Sequence, residues 1–264
     1  MSTRTQPWPA GTPCWADLMT PDQPTAERFY RAVLGWTMQD TGADEGHYAL
    51  AMVGEHFAAG IGTPPPDQPA TPPAWTTYLA SDDVDKTCDA ITGSGGMVLV
   101  PATDVGTAGR MAVAQDPTGA VFGVWQAGDM IGATIVNEPG GIGWNDCRSR
   151  DPQRAMEFYS AVFGYTYTPM EGGEAYWTID GAGPGNAIGG IGQVDPSTPD
   201  DMPAHWMPYF VVADADTAAA AVTANGGQVA VPPFDTPYGR MSVVTDPHGA
   251  VFTITGMPEP AQEG

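Results

Sequence analysis

Hydrophobic positions fall twice into the same pattern along the chain. Between Asp22 and Gly35, apolar side chains sit at Ala26, Phe29, Tyr30 and Val33; between Asp151 and Gly164, at Ala155, Phe158, Tyr159 and Val162. That spacing predicts an amphipathic helix in each place, with the aspartate as N-cap and the glycine just past the C-terminus. A short alternating run precedes each helix, at 13–19 and 142–148, and predicts a strand. Paired strands follow at 46–53 and 55–62, and at 174–180 and 186–192, before proline-rich connectors at 63–73 and 194–203. The order then repeats in the first copy: strand 75–81, helix 83–93, and strands near 97–100, 110–115 and 120–125.

These matches belong to one long internal repeat. Residues 11–35 align with 140–164 at an offset of 129, and 74–123 align with 205–253 at 130–131. AWTTYLASDDVD faces HWMPYFVVADAD, and GRMAVAQDPTGAVFGV faces GRMSVVTDPHGAVFTI. A period this long marks a duplicated domain, not a solenoid. The expected organisation is a first domain at 11–126, a linker at 127–139 with an extra strand at Ala133–Asn137, and a second domain at 140–256. Tails occupy 1–10 and 257–264. Each domain reads as βαβββ twice.

Composition narrows the partners. The 264 residues carry 31 acidic against 9 basic side chains, a net charge of −22, and Lys86 is the single lysine. A nucleic-acid footprint needs a basic stripe, which is missing, and no 18-residue apolar run exists to span a membrane. Three separated cysteines, Cys14, Cys88 and Cys147, read as free thiols in a reducing compartment. No apolar leader precedes them, so the expected location is cytoplasmic, with export by a route without a readable signal left open.

The strings FYRAVLGW at 29–36 and FYSAVFGY at 158–165, each followed by a DP-x-G turn at Asp116 and Asp246, resemble the vicinal oxygen chelate superfamily. That superfamily includes glyoxalase I, extradiol dioxygenases and bleomycin-resistance proteins. The similarity covers nearly the whole chain and extends to tandem-domain members through the linker IGATIVNE. It implies an α+β fold of two tandem domains, each a curved, cup-like mixed sheet with helices outside. It also implies a divalent metal inside the cup, held by His, Gln or Glu on the first, fourth, fifth and eighth strands.

Placed on this sequence, the ligand positions fall on Trp15 and Trp144, on Trp75 and Trp206, and on Gly123 and Thr253, with nothing suitable on the fourth strands. The four histidines, His47, His56, His205 and His248, are scattered, and His205 is expected on the opposite face from the ligand position. A metal needs several N or O donors converging on one point. The expectation is therefore no metal, no other cofactor and no identified catalytic residue.

Alternation along the strands places Trp15, Asp17, Trp75, Trp125, Trp144, Asp146, Trp206 and Phe210 on the concave face as candidate ligand-binding residues. Either the tryptophans plug the cups, or they wall a cleft for an aromatic or hydrophobic molecule. Arg110 and Arg240 either pair with nearby aspartates (104 or 116; 235 or 246) or anchor a ligand. Tyr48 and Tyr176, on matching strands, are acid–base candidates or core residues. The reading that follows is metal-independent small-molecule binding. A glyoxalase-type lyase or an oxygenase is the alternative, and a non-catalytic interaction protein is the second. Self-association as a homodimer is compatible with all three.

Overall fold

The computed structural model describes residues 3–64, 72–170, 175–181, 186–195, 198 and 202–256. The first copy runs β1 (Pro13–Met19), α1 (Gln23–Leu34), β2 (Thr37–Asp40), β3 (Ala49–Val53) and β4 (His56–Gly62). It continues with β5 (Ala74–Ala80), α2 (Val84–Gly93), β6 (Met97–Val105), β7 (Gly109–Gln115) and β8 (Val121–Ala127). The second copy runs β9 (Ile142–Ser149), α3 (Pro152–Phe163), β10 (Thr166–Pro169), β11 (Tyr176–Asp180) and β12 (Ala187–Gln193). It ends with β13 (His205–Val212), α4 (Ala215–Ala224), β14 (Gln228–Thr236), β15 (Gly239–Thr245) and β16 (Val251–Gly256). Each copy is two βαβββ units. The four-residue strands β2 and β10 carry no clear alternation, which is why the pattern along the chain does not announce them.

Local chemistry sets the helix ends. The carboxylates of Asp22 and Asp151 accept the backbone N–H groups of Thr25 and Arg154, satisfying donors that the first turn leaves orphaned. Gly35 and Gly164 close the same helices in the left-handed conformation, at φ 73° and 71°.

Both sheets have eight strands in the same order, β2-β3-β4-β1-β5-β8-β7-β6 and β10-β11-β12-β9-β13-β16-β15-β14. The two units of a domain meet through the antiparallel pairs β1–β5 and β9–β13, with parallel pairs on either side. Helices cover one face of each sheet, and those covered faces turn toward one another. Thr77 of β5 donates its hydroxyl to the side-chain oxygen of Asn145 on β9 at 2.9 Å. Helix α1 packs on α4, and α2 packs on α3.

The core is consequently shared between the domains. One cluster joins Phe29, Tyr30, Trp36 and Trp75 of the first copy to Phe210 and Phe252 of the second. The other joins Leu79 and Phe122 to Phe158, Tyr159 and Trp206. Each such side chain contributes roughly 1.5–3 kcal/mol by leaving water, so neither half carries its own complete core. Within 127–139 the expected strand reduces to isolated bridges, Thr3 with Ile135 and Val136 with Ile142. Left-handed backbone at Gly132 and Asn137 brackets the segment and limits the extended run. Its N–H groups serve other strands: Ala133 bonds to Cys14 and Thr134 to Phe57. Much of the proline-rich connectors at 63–73 and 194–203, and the whole tail at 257–264, lie outside the described residues.

Candidate functional site

Register decides which residues share the face that the helices leave open. On β1 and β5, Trp15 lies opposite Tyr78 and Asp17 opposite Thr76. On β9 and β13, Trp144 lies opposite Tyr209, Asp146 opposite Met207, and Arg148 opposite His205. Cross-strand partners point to the same side, so each concave face gathers a tryptophan, an aspartate and two tyrosines.

In the first domain, Tyr78 donates its hydroxyl to Asp17 Oδ2 at 3.0 Å, and the Trp15 indole donates to the Tyr48 hydroxyl at 3.1 Å. Asp17 is 5 % exposed and its Oδ1 makes no hydrogen bond. Burial pushes its carboxyl up to about 7, with the Tyr78 and Tyr48 hydroxyls offsetting part of the rise. Burial and the nearby Asp17 hold both tyrosines well above their ordinary value, so they remain hydrogen-bond donors.

The second domain repeats this arrangement and completes it. Asp146 Oδ1 accepts the Trp144 indole and the Tyr176 hydroxyl, each at 2.8 Å. Its Oδ2 accepts the Tyr209 hydroxyl at 2.6 Å and Arg148 Nη2 at 2.7 Å. The guanidinium also lies 5.0 Å from the centre of the Tyr176 ring. Asp146 is 1 % exposed, whereas the Arg148 side chain keeps 26 % of its surface open to solvent. His205 stands beside it with its pKa lowered, burial being the main cause and the Arg148 charge a further one, so the ring is neutral at pH 7.

Several expected placements need correction. Trp75 pairs in register with Leu18 and points under the sheet, where its indole donates to the Tyr30 hydroxyl at 3.0 Å. Trp206 does the same toward Tyr159 at 2.7 Å, and Phe210 stacks edge-on against Trp36. These three residues belong to the interdomain core, because the helices on that side require large apolar partners. On β5 and β13 the concave positions are Ala74, Thr76 and Tyr78, and His205, Met207 and Tyr209. His205 is therefore on the concave face, against expectation. Trp15, Asp17, Trp144 and Asp146 do lie there, and so does Trp125, whose indole is capped by the carbonyl of Met130 at 3.0 Å. The five tryptophans thus line no common cavity.

Arg110 and Arg240 sit on the helix side and hold two carboxylates each. Arg110 binds Asp85 and Asp104, and Arg240 binds Asp216 and Asp235, so α2 and α4 are tied to the sheet edge at an exposed seam. They do not reach the concave faces. Asp116 and Asp246, the other suggested partners, cap their own DP-x-G turns instead. Tyr78, Tyr209 and Arg148 are site residues that the pattern reading passed over. Arg148 was within reach of it, being two residues beyond Asp146 on one strand and hence on the same face.

The donor set does not fit the metal that the resemblance implies. The second face offers one carboxylate and one imidazole, and Arg148 already sits on the carboxylate; the first face offers one carboxylate and no imidazole. Among the described residues, no group of three or more His, Cys, Asp or Glu side chains converges. Two cavities open away from these aspartates. One, of about 610 Å³, is lined by Gln153, Met156, Glu157, Tyr167 and Trp177; the other, of about 250 Å³, by Trp8, Ser81, Trp125 and Ile131. Neither is lined by Asp17, Asp146 or their hydrogen-bond partners. No helix among the described residues is long and apolar enough to cross a membrane.

Comparison with known proteins agrees with this architecture. "Putative glyoxylase CFP32" of Mycobacterium tuberculosis is 43 % identical over 259 residues, covering 96 % of this chain and 97 % of its own. "Anthracycline biosynthesis protein DnrV" of Streptomyces peucetius is 34 % identical over 277 residues, again covering 96 % and 97 %. The fold matches that of the crystallised Mn(II)-bound glyoxalase of Novosphingobium aromaticivorans with a TM-score of 0.64 at 15 % identity, over 94 % of this chain and 82 % of that one. The family model described as Glyoxalase/Bleomycin resistance protein/Dioxygenase superfamily matches residues 14–124 and again 132–254. The chain belongs to the glyoxalase/bleomycin resistance protein/dioxygenase superfamily, with two tandem copies of its domain.

Proposed function

We propose that this protein acts on a small, oxygen-bearing aromatic molecule at the concave face of its second domain, as an enzyme of the superfamily's lyase or oxygenase kind. One observation carries the reading: Arg148 is anchored on buried Asp146 yet its side chain keeps 26 % of its surface open, next to a neutral His205. A guanidinium held in this way offers N–H donors to a carbonyl, phenolate or carboxylate oxygen, and its orientation is fixed before the guest arrives. His205 can take or give a proton beside it, and the Trp144 ring supplies an apolar wall. The relative named for anthracycline biosynthesis supports a fused-ring guest carrying several oxygens.

The test uses 1,4-dihydroxyanthraquinone as probe and tryptophan fluorescence as readout, with turnover followed on the same compound and on a methylglyoxal–glutathione hemithioacetal. Arg148→Lys and His205→Ala are each expected to weaken binding by at least about tenfold, or about 1.4 kcal/mol. Unchanged binding in both variants would overturn the reading. A second reading, metal-dependent catalysis, is favoured by the likeness to a Mn(II)-bound glyoxalase and weakened by the donor set. Metal that stays with the purified protein and is required for turnover would put that reading first.

A further inference from the structure

We propose that the concave face of the first domain is a binding site for a small organic cation, an ammonium or guanidinium on an apolar body, seated against Asp17, Tyr48 and Tyr78. The second domain supplies the template, because it seats a cation of its own in the corresponding place. Trp144, Asp146, Tyr176 and Tyr209 surround the Arg148 guanidinium, and Trp15, Asp17, Tyr48 and Tyr78 are their counterparts in the repeat.

At the position of Arg148 the first domain carries Met19. The two side chains cross the same floor: a side chain added at Gly192 would meet Arg148 Nη1 at 3.1 Å, and one added at Gly62 would meet Met19 Sδ at 3.0 Å. The thioether brings no charge, so Asp17 Oδ2 keeps the Tyr78 hydroxyl without a cation beside it. Its Oδ1 makes no hydrogen bond, because the Trp15 indole donates to Tyr48 where the Trp144 indole donates to the aspartate. The groups facing Asp17 are Trp15 from its own strand, Tyr48 from the residue just before β3 and Tyr78 from β5, and none of them is charged. A buried carboxylate without a counter-charge is unstable, and an incoming cation removes that cost while stacking on Tyr48 as Arg148 stacks on Tyr176.

Access is available at the same end. Met19 is 37 % exposed and Ala74, the counterpart of His205, is exposed, so no histidine or arginine closes the mouth. Methionine is unbranched and flexible, and gives way to a guest more readily than a branched side chain would. The net charge of −22 raises the local concentration of cations around the molecule. With Asp17 titrating near 7, the site holds its full charge above that pH.

The experiment compares benzylammonium with benzyl alcohol on the full chain at pH 8 by calorimetry, in the wild type, in Asp17→Asn and in Met19→Arg. The wild type is expected to bind benzylammonium at least about tenfold more tightly than the alcohol, a difference of about 1.4 kcal/mol. That preference is expected to vanish in Asp17→Asn, which removes the anion, and in Met19→Arg, which fills the site from within. If Asp17→Asn fails to fold, Met19→Arg decides alone, because it changes a partly exposed position. There the carbon-13 shift of the Asp17 carboxyl is expected to titrate at lower pH than in the wild type. Equal affinity for the two probes overturns the proposal, and so does a preference for benzylammonium that survives Met19→Arg.

Discussion

The two concave faces start from the same four side chains and end with different electrostatics. In the second domain Asp146 is a carboxylate satisfied by four donors, one of them a cation. In the first, Asp17 accepts the Tyr78 hydroxyl and has the Tyr48 hydroxyl nearby but no cation, and burial lifts its pKa to about 7. The change from Met19 to Arg148 accounts for the missing cation, and the Trp15 indole, which donates to Tyr48 and not to the aspartate, accounts for a further lost donor. Duplication supplied two copies of one polar cluster, and a single strand position decides whether that cluster is internally neutralised or waits for a counter-ion.

The largest expected consequence lies in the pH dependence of stability. Asp17 holds its proton in the folded state up to about pH 7, whereas in the unfolded chain it releases it near 3.9. Between those values the folded state binds more protons than the unfolded one, so stability falls as pH rises. The contribution is fully present below about pH 4, declines across the interval and is gone above about pH 7. Its size is about 4 kcal/mol, from roughly three units at 1.36 kcal/mol each. Urea unfolding of the wild type and Asp17→Asn at pH 4 and pH 8 should show their difference shifting by about that amount. A constant difference would mean that burial does not raise the Asp17 pKa, and the contrast between the faces would collapse.

The next effect is expected on the other side of the comparison. Arg148→Met converts the second face to the first and strands Asp146, which is 1 % exposed. Breaking a buried pair by removing one partner costs about 3 kcal/mol, even with part of the arginine surface wet. Denaturant melts at pH 7 measure it directly. A loss under about 1 kcal/mol would place this bond with ordinary surface ion pairs.

How much of this was legible in the sequence depends on the kind of signal. The repeat, the helices with their Asp and Gly ends, and the DP-x-G turns are local patterns, and they appear where the spacing puts them. Trp15, Asp17, Trp144 and Asp146 also lie on the expected face. Trp75, Trp206 and Phe210 do not, because alternation separates two faces of a strand without saying which of them meets the helices. A slip of one residue along β5 or β13 exchanges the whole set, and the slip that moved the tryptophans outward also hid His205. The tyrosines at 78 and 209 were invisible for the same reason. Arg148 is different, since the aligned strings DLM and DCR already displayed its contrast with Met19. What the strings lacked was the register that seats it on Asp146 and beside His205. The interdomain core was beyond reach, because nothing local reports that α1 packs on α4.

The smallest expected effect is the control that separates the concave faces from the rest of the repeat. Arg110 and Arg240 are matched in position, in partners and in exposure, each holding one aspartate on a helix and one on a strand at a solvent-exposed seam. They lie on the helix side of their sheets, so no guest on a concave face can touch them. Such exposed pairs are screened and add little to stability. Arg110→Met and Arg240→Met should therefore leave the affinity for benzylammonium and for 1,4-dihydroxyanthraquinone within about twofold of the wild type, and should do so equally. Calorimetric titrations of both variants with both probes check this. A selective loss in one variant would show that the seam senses its own domain's guest, and that the copies differ beyond the Met19–Arg148 position.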